Sequence, residues 1–214
     1  WIIQFTQEII KRGLKITWQL PSGTRSEVFD REVASLVYQA GCRNLAFAPE
    51  SGDERVLKKV KKKVNLEHLE QSARDAVAAG LNVSVFIVIG FPIDNTESMQ
   101  KTARFLRKMA LIGVHDCVVS KFIPYPGSPL FVQLQQTGKI GIDDQFFISP
   151  MDFYTKDADS YCDNLTSREL HRWMIYLFMN FYLLSVLTHP FRTLYICLKA
   201  VMTGYEETRY TKFL

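Results

Sequence analysis

Four short segments carry the residues whose types and spacing can do chemistry, and three of them end an apolar run. The first is Pro49-Glu50-Ser51-Gly52. Glu50 is a carboxylate that can accept hydrogen bonds from a pair of neighbouring hydroxyls, with Ser51 beside it. Gly52 lets a ligand come close to the backbone. The same acid also suits the start of the charged helical pattern from Asp53, where it would offset the helix dipole. The residues alone do not separate these two roles. The second segment is Gly90-Phe91-Pro92, where Gly90 permits close approach and Ile87 and Ile89 offer an apolar floor for a flat ring. A plain βα turn fits it equally well. The third runs from Phe122 through Pro124-Tyr125-Pro126-Gly127-Ser128-Pro129, whose prolines fix carbonyls and amides that can read a heterocycle. The fourth is Arg25, after Pro21-Ser22-Gly23-Thr24. It can grip a carboxylate or phosphate as a bidentate fork, or make a surface ion pair. Asp94 and Glu97 read as helix-start acids.

No reactive group accompanies these binding residues. The four histidines (His68, His115, His171, His189) and four cysteines (Cys42, Cys117, Cys162, Cys197) have no metal-ligand spacing. Cys42 reads as a small core residue. There is no P-loop, no G-x-S-x-G elbow and no H-E-x-x-H. A chain that binds at several strand ends without a nucleophile or base points to a cofactor that carries the hard chemistry.

The elements that must position these residues follow from periodicity. Helices are expected at 1–11, 31–39, 53–62, 66–79, 96–111 and 129–136. Strands are expected at 14–20, 44–48, 83–89 and 116–122. The run Val83 to Ile89 is continuously apolar, as in a central parallel strand covered on both faces. Repetition of strand and helix with short loops implies parallel strands and right-handed crossovers. The expected fold is α/β: a partial (β/α) barrel over residues 1–140, then a helical C-terminal region over 141–214. An open doubly wound sheet is the alternative, but no G-x-G-x-x-G follows any strand. Residues 140–163 are aromatic and acidic without clear period. From Ser167 a helix begins whose stretch Trp173 to Leu187 is nearly all apolar, about 15 residues against the ~20 needed to cross a bilayer. Phe191 to Met202 forms a second apolar helix. A buried hairpin is one reading of this pair. A surface for a membrane or a lipophilic substrate is the other.

At 214 residues, 47% hydrophobic and 22% charged, the composition is that of an ordinary globular domain. The net charge of +4 is too diffuse to argue for nucleic acid. The dense basic run Lys58, Lys59, Lys61, Lys62, Lys63 reads as a solvated helix end. No signal-peptide pattern is seen, and free thiols suit a reducing, cytoplasmic setting. The chain begins at Trp1, inside a helical pattern, so it is expected to be the C-terminal part of something longer.

The run AGCRNLAFAPESGDERVLKKVKKK, then AAGLNVSVFIVIGFPIDNTES, then KFIPYPGSPLFVQLQQTGKI resembles the radical S-adenosylmethionine (radical SAM) superfamily, most of all its cobalamin-binding branch. TWQLPSGTRSEVFD upstream resembles that family's strand with a terminal arginine. The resemblance covers about residues 1 to 140. It implies an incomplete barrel holding S-adenosylmethionine and a [4Fe–4S] cluster at its mouth, with cobalamin as a further cofactor. The reduced cluster would generate a 5′-deoxyadenosyl radical, used in methylation or rearrangement of a small, apolar or lipophilic substrate, with an external electron donor as partner. By motif, Glu50 matches the acid that binds the ribose. Val83 to Ile89 and Gly90 match the segment beside the adenine. Phe122 to Tyr125 matches the last strand end, and Arg25 matches a contact near the methionine moiety. The family's C-x-x-x-C-x-x-C loop is absent here, so the cluster ligands are expected upstream. The fragment alone is expected to be inactive. A non-catalytic barrel remnant serving as a binding module is the competing expectation.

Overall fold

The computed structural model describes residues 1–148 and 159–203. Among these, four parallel strands form one sheet: β1 (Trp18–Leu20), β2 (Cys42–Glu50), β3 (Asn82–Ile89) and β4 (Asp116–Lys121). Their spatial order is β1-β2-β3-β4, the same as their order in the chain. A doubly wound sheet reverses direction at a switch point. This one does not, so it is an arc of a barrel, and the alternative falls.

The helices are α1 (Ile2–Lys11), α2 (Arg31–Gln39), α3 (Glu54–Lys59), α4 (Leu66–Ala78), α5 (Thr96–Ile112), α6 (Pro129–Gln136), α7 (Asp144–Ile148), α8 (Ser167–Thr188) and α9 (Pro190–Thr203). Their starts follow local chemistry. Asp30, Asn65 and Asn95 each accept a hydrogen bond from the third residue onward, closing free N–H groups of the first turn. Thr166 and Glu169 form a reciprocal capping box at α8.

Strand β3 buries its residues in strict alternation. Val83, Val85, Ile87 and Ile89 are fully buried against the helical layer, while Ser84, Phe86 and Val88 are half-buried on the other face. The expectation of a strand covered on both faces is therefore corrected. One face meets helices, and the other lines the hollow of the arc. The expected strand 14–20 is also shorter, because β1 is an edge whose partner begins only at Cys42. Residues 14–17 have no ladder to join.

The core joins β2, β3 and β4 to α2, α4, α5 and α8. Helix α8 contributes Leu170, Met174, Leu177 and Phe181, one stripe at helical spacing. At 22 residues it is longer than its apolar run suggests, and it is long and apolar enough to cross a membrane by length and composition. A smaller cluster of Phe131, Leu134, Ile140, Phe146 and Tyr161 packs across the expected domain boundary at 140. Parts of the acidic segment and the last eleven residues lie outside the described residues.

Candidate functional site at the strand ends

The C-terminal ends of β2, β3 and β4 open on a cleft of about 1110 Å³. In a barrel of parallel strands this is the end where binding sites form. Its position follows from one irregularity in β2. Phe47 pairs with Val85 and Glu50 with Ile87, so three steps on β2 face two on β3. Pro49 lies inside this bulge and has no N–H to give a ladder. A bulge re-aims the side chains that follow it. Glu50 accordingly takes a left-handed backbone, φ 72°, and lines the cleft. Lys62 donates to its Oε1 at 2.9 Å, which orients the carboxylate and leaves Oε2 for a ligand.

The rest of the β2 turn is structural. Ser51 is buried, and its Oγ accepts from the Asp53 N–H at 3.1 Å. It does not face the cleft, which corrects its place among the expected site residues. Gly52 is a glycine for packing rather than for a ligand. A Cβ there would lie 2.6 Å from Thr102 Cα and 2.8 Å from Phe105 Cβ on α5. Asp53 is buried and bonded to Arg55 at 2.8 Å and Lys101 at 3.4 Å. Burial works to raise its carboxyl, but these cations outweigh it and hold it below the usual carboxylate range.

At the end of β3, Asp94 closes the turn. It accepts from the N–H groups of Gly90 at 2.9 Å and Phe91 at 3.0 Å, and from Ser98 Oγ at 2.7 Å. Burial pushes its carboxyl up against these bonds. Gly90 has φ 89°, and a Cβ on it would meet Leu170 Cδ1 of α8 at 2.8 Å. Its close neighbour is thus a helix, and its N–H is already spent. The Ile89 side chain is fully buried under the helices, so it cannot floor the cleft; Val88 does so instead. Phe91 stacks at a tilt on Phe122, ring centroids 4.8 Å apart, and both line the cleft.

Of the expected site residues, the structure therefore brings Glu50, Phe122 and Tyr125 to one cleft. Pro124 is buried behind it and shapes the loop. Arg25 lies apart: its side chain is 79% exposed, it pairs with Glu27 at 3.7 Å, and it lines a smaller hollow of about 200 Å³. Sequence reasoning named Phe91 only as part of the Gly90-Phe91-Pro92 turn and did not single out Val88, Ser120 or Lys58, Lys59, Lys61 and Lys62 as site residues, though all of them line the cleft. Alternation along β3 was the available signal for Val88, hidden because every residue from Val85 to Ile89 is apolar.

The site supports a flat ring against Phe91, Phe122 and Val88, with Glu50 placed to accept from hydroxyls at its edge. These residues fit the adenosine part of S-adenosylmethionine. They do not fit an iron–sulfur cluster. Among the described residues no group of three His, Cys, Asp or Glu could hold a metal ion. Cys42 and Cys117 are buried in the core, and burial pushes the thiols of Cys42 and Cys162 up, away from thiolate. The side chain of Cys197 lies outside what is described.

An arc of parallel βα units with a ligand cleft at its strand ends is the architecture of a barrel enzyme domain. The radical SAM superfamily profile matches residues 2–106 of this chain. Cytidylyl-2-hydroxyethylphosphonate methyltransferase of Streptomyces wedmorensis is 37% identical over 148 residues, covering 59% of this chain and 28% of that protein. An uncharacterized methyltransferase of Pyrococcus horikoshii, PH0819, is 27% identical over 129 residues, covering 60% of this chain and 27% of its own length. The chain thus spans little more than a quarter of these relatives. Among solved structures, the radical S-adenosylmethionine methyltransferase TsrM of Kitasatospora setae, with cobalamin and a [4Fe–4S] cluster bound, superposes with a TM-score of 0.53 at 18% identity. That match covers 63% of this chain and 27% of TsrM. It shows the shared fold.

Proposed function

We propose that this chain is the S-adenosylmethionine-binding half-barrel of a radical SAM methyltransferase acting on a small molecule. The observation that carries the reading is Glu50, turned into the cleft by the β2 bulge and held by Lys62 beside an aromatic wall. Glu50 would accept from the ribose hydroxyls. Phe91, Val88 and Phe122 would bury the adenine from water. S-adenosylmethionine supplies, when bound, the sulfonium whose reductive cleavage starts radical chemistry. A cluster, an electron donor and cobalamin belong to the reading, but their ligands are not among the residues described. The methyltransferase relatives favour methylation over rearrangement, and they favour an enzyme over a barrel remnant that only binds.

In the full-length protein, Glu50→Gln should weaken S-adenosylmethionine binding about tenfold, the loss of about 1.4 kcal/mol expected for a hydrogen bond to a charged acceptor. Isothermal titration calorimetry reads this. Equal affinity in the two proteins would remove Glu50 from the site.

A second reading concerns α8 and α9. Residues 170–203 contain no Asp or Glu, and Leu183, Leu187, Phe191, Leu194 and Leu198 are exposed. We infer a peripheral contact with an anionic lipid surface. Flotation with phosphatidylglycerol vesicles should carry the protein, and failure to float would end this reading.

A further inference from the structure

The basic run at the C-terminal end of α3 has an ordinary explanation, since cations offset the carbonyl end of a helix. Its place in the fold asks for more. Lys58, Lys59, Lys61 and Lys62 all line the main cleft, together with Phe91, Phe122 and Tyr125. Lys62 is engaged with Glu50, and Arg55 with Asp53 and Glu97. Among the described residues, Lys58, Lys59 and Lys61 have no carboxylate within ion-pair distance. The lining of the cleft therefore includes three lysines without an ion-pair partner.

Backbone geometry adds an independent observation. Helix α3 closes with Lys61 N donating to Lys58 O and Lys62 N donating to Leu57 O. In this closing pattern the left-handed residue is usually glycine. Here it is Lys61, at φ 58°. Among the described residues, only Glu50 and Lys61 combine a side chain with a positive φ, and both line the same cleft. Strain kept where glycine would relieve it points to a use for the side chain. The cleft, at about 1110 Å³, also exceeds the roughly 300–1,000 Å³ of a site for one small ligand.

We propose that Lys58, Lys59 and Lys61 form an anion subsite that receives a phosphate or phosphonate group of the substrate, with the substrate's less polar part along the aromatic wall. A tetrahedral oxyanion suits three separate point charges. A planar carboxylate is better met by an arginine fork, and the arginine on this cleft is already engaged. The inference rests on the reading of this cleft as the site of cofactor and substrate.

Phenyl phosphate, titrated calorimetrically into the full-length protein at low salt, tests it. The protein should bind phenyl phosphate at least tenfold more tightly than benzoate. Lys61→Gly should weaken phenyl phosphate binding about tenfold while raising the melting temperature, so the loss cannot come from unfolding. The double variant Lys58→Gln, Lys59→Gln should weaken it further. Lys63→Gln, whose side chain lines the smaller hollow, should bind like the parent. No binding, equal binding of benzoate, or unchanged affinity in Lys61→Gly would overturn the subsite. S-adenosylmethionine affinity in the same variants separates the two readings. If it is intact while phenyl phosphate fails to bind, the subsite is wrong and the cofactor reading stands. If S-adenosylmethionine alone is lost, the lysines serve the cofactor and the subsite is again overturned.

Discussion

The two ends of the sheet are built to opposite rules. At the strand N-termini, His115, Asp116, Tyr182 and Arg192 are drawn into hydrogen bonds within the fold. His115 exchanges hydrogen bonds with Val83, its Nδ1 accepting from the Val83 N–H at 3.2 Å. Tyr182 donates to Asp116, and Arg192 donates to Gly113 O and, at 2.7 Å, to Ser185 Oγ. The space left there is about 20 Å³, against about 1110 Å³ at the other end. At the strand C-termini the charges on Lys58, Lys59 and Lys61 face open volume, and two residues with side chains hold left-handed backbones. One end is closed by α8 and α9 and spends its polar groups on stability. The other keeps strain and unneutralised charge for a ligand. Barrels divide their labour along this axis.

The largest effect expected from breaking this division lies at the closed end. Burial, with the charges of Arg192 and His189 nearby, lowers the His115 pKa from 6.5 to about 4. A base with a lowered folded pKa is neutral in the fold while the unfolded chain still takes up a proton. The unfolded state therefore binds more protons between these values. Stability is full above about pH 6.5 and falls as pH drops towards about 4, by up to about 3 kcal/mol. Protonation would also cost the hydrogen bond, because a protonated Nδ1 can no longer accept from Val83. Denaturant unfolding from pH 7 to pH 4 should show this slope, and His115→Gln should flatten it. A slope that survives the substitution would assign acid sensitivity elsewhere. Affinity for the cofactor at pH 7 should not change in this variant.

Much of this division is legible in the chain, and the reasons for the rest are physical. Helices α2 and α6 match their expected bounds because cap, period and stop all agree locally. Glu50 stands out as a carboxylate after an apolar run, and its neighbours Phe122 and Tyr125 are marked by prolines. The bulge that turns Glu50 is not legible, because it depends on which β3 residue faces it. Ser51, Gly52 and Gly90 look like ligand-facing residues, yet Ser51 is held by the Asp53 N–H in its own turn, and the two glycines are used up by packing on α5 and α8, elements far away in sequence. The lysine wall is hidden for the same kind of reason. Only the fold shows that the turn after α3 comes back so that Lys62, twelve residues on, reaches Glu50. His115 and Arg192 look ordinary in the sequence because their partners, Val83 on β3 and Gly113 after α5, are distant in the chain.

A smaller effect tests the open end and has the opposite sign. A left-handed backbone costs a residue with a side chain about 1–2 kcal/mol, and glycine nothing comparable. Glu50→Gly removes that strain together with a half-exposed ion pair to Lys62, which is worth little in water. The flexibility of glycine in the unfolded chain takes back part of the gain. The variant should therefore be more stable than the parent by up to about 1 kcal/mol, a rise of a few degrees in melting temperature, while losing affinity for S-adenosylmethionine. Stability and binding then move in opposite directions at the mouth, whereas His115→Gln moves stability alone at the closed end. If Glu50→Gly lowers the melting temperature, Glu50 is part of the fold's own support. The contrast between the two ends would then rest on Lys58, Lys59 and Lys61.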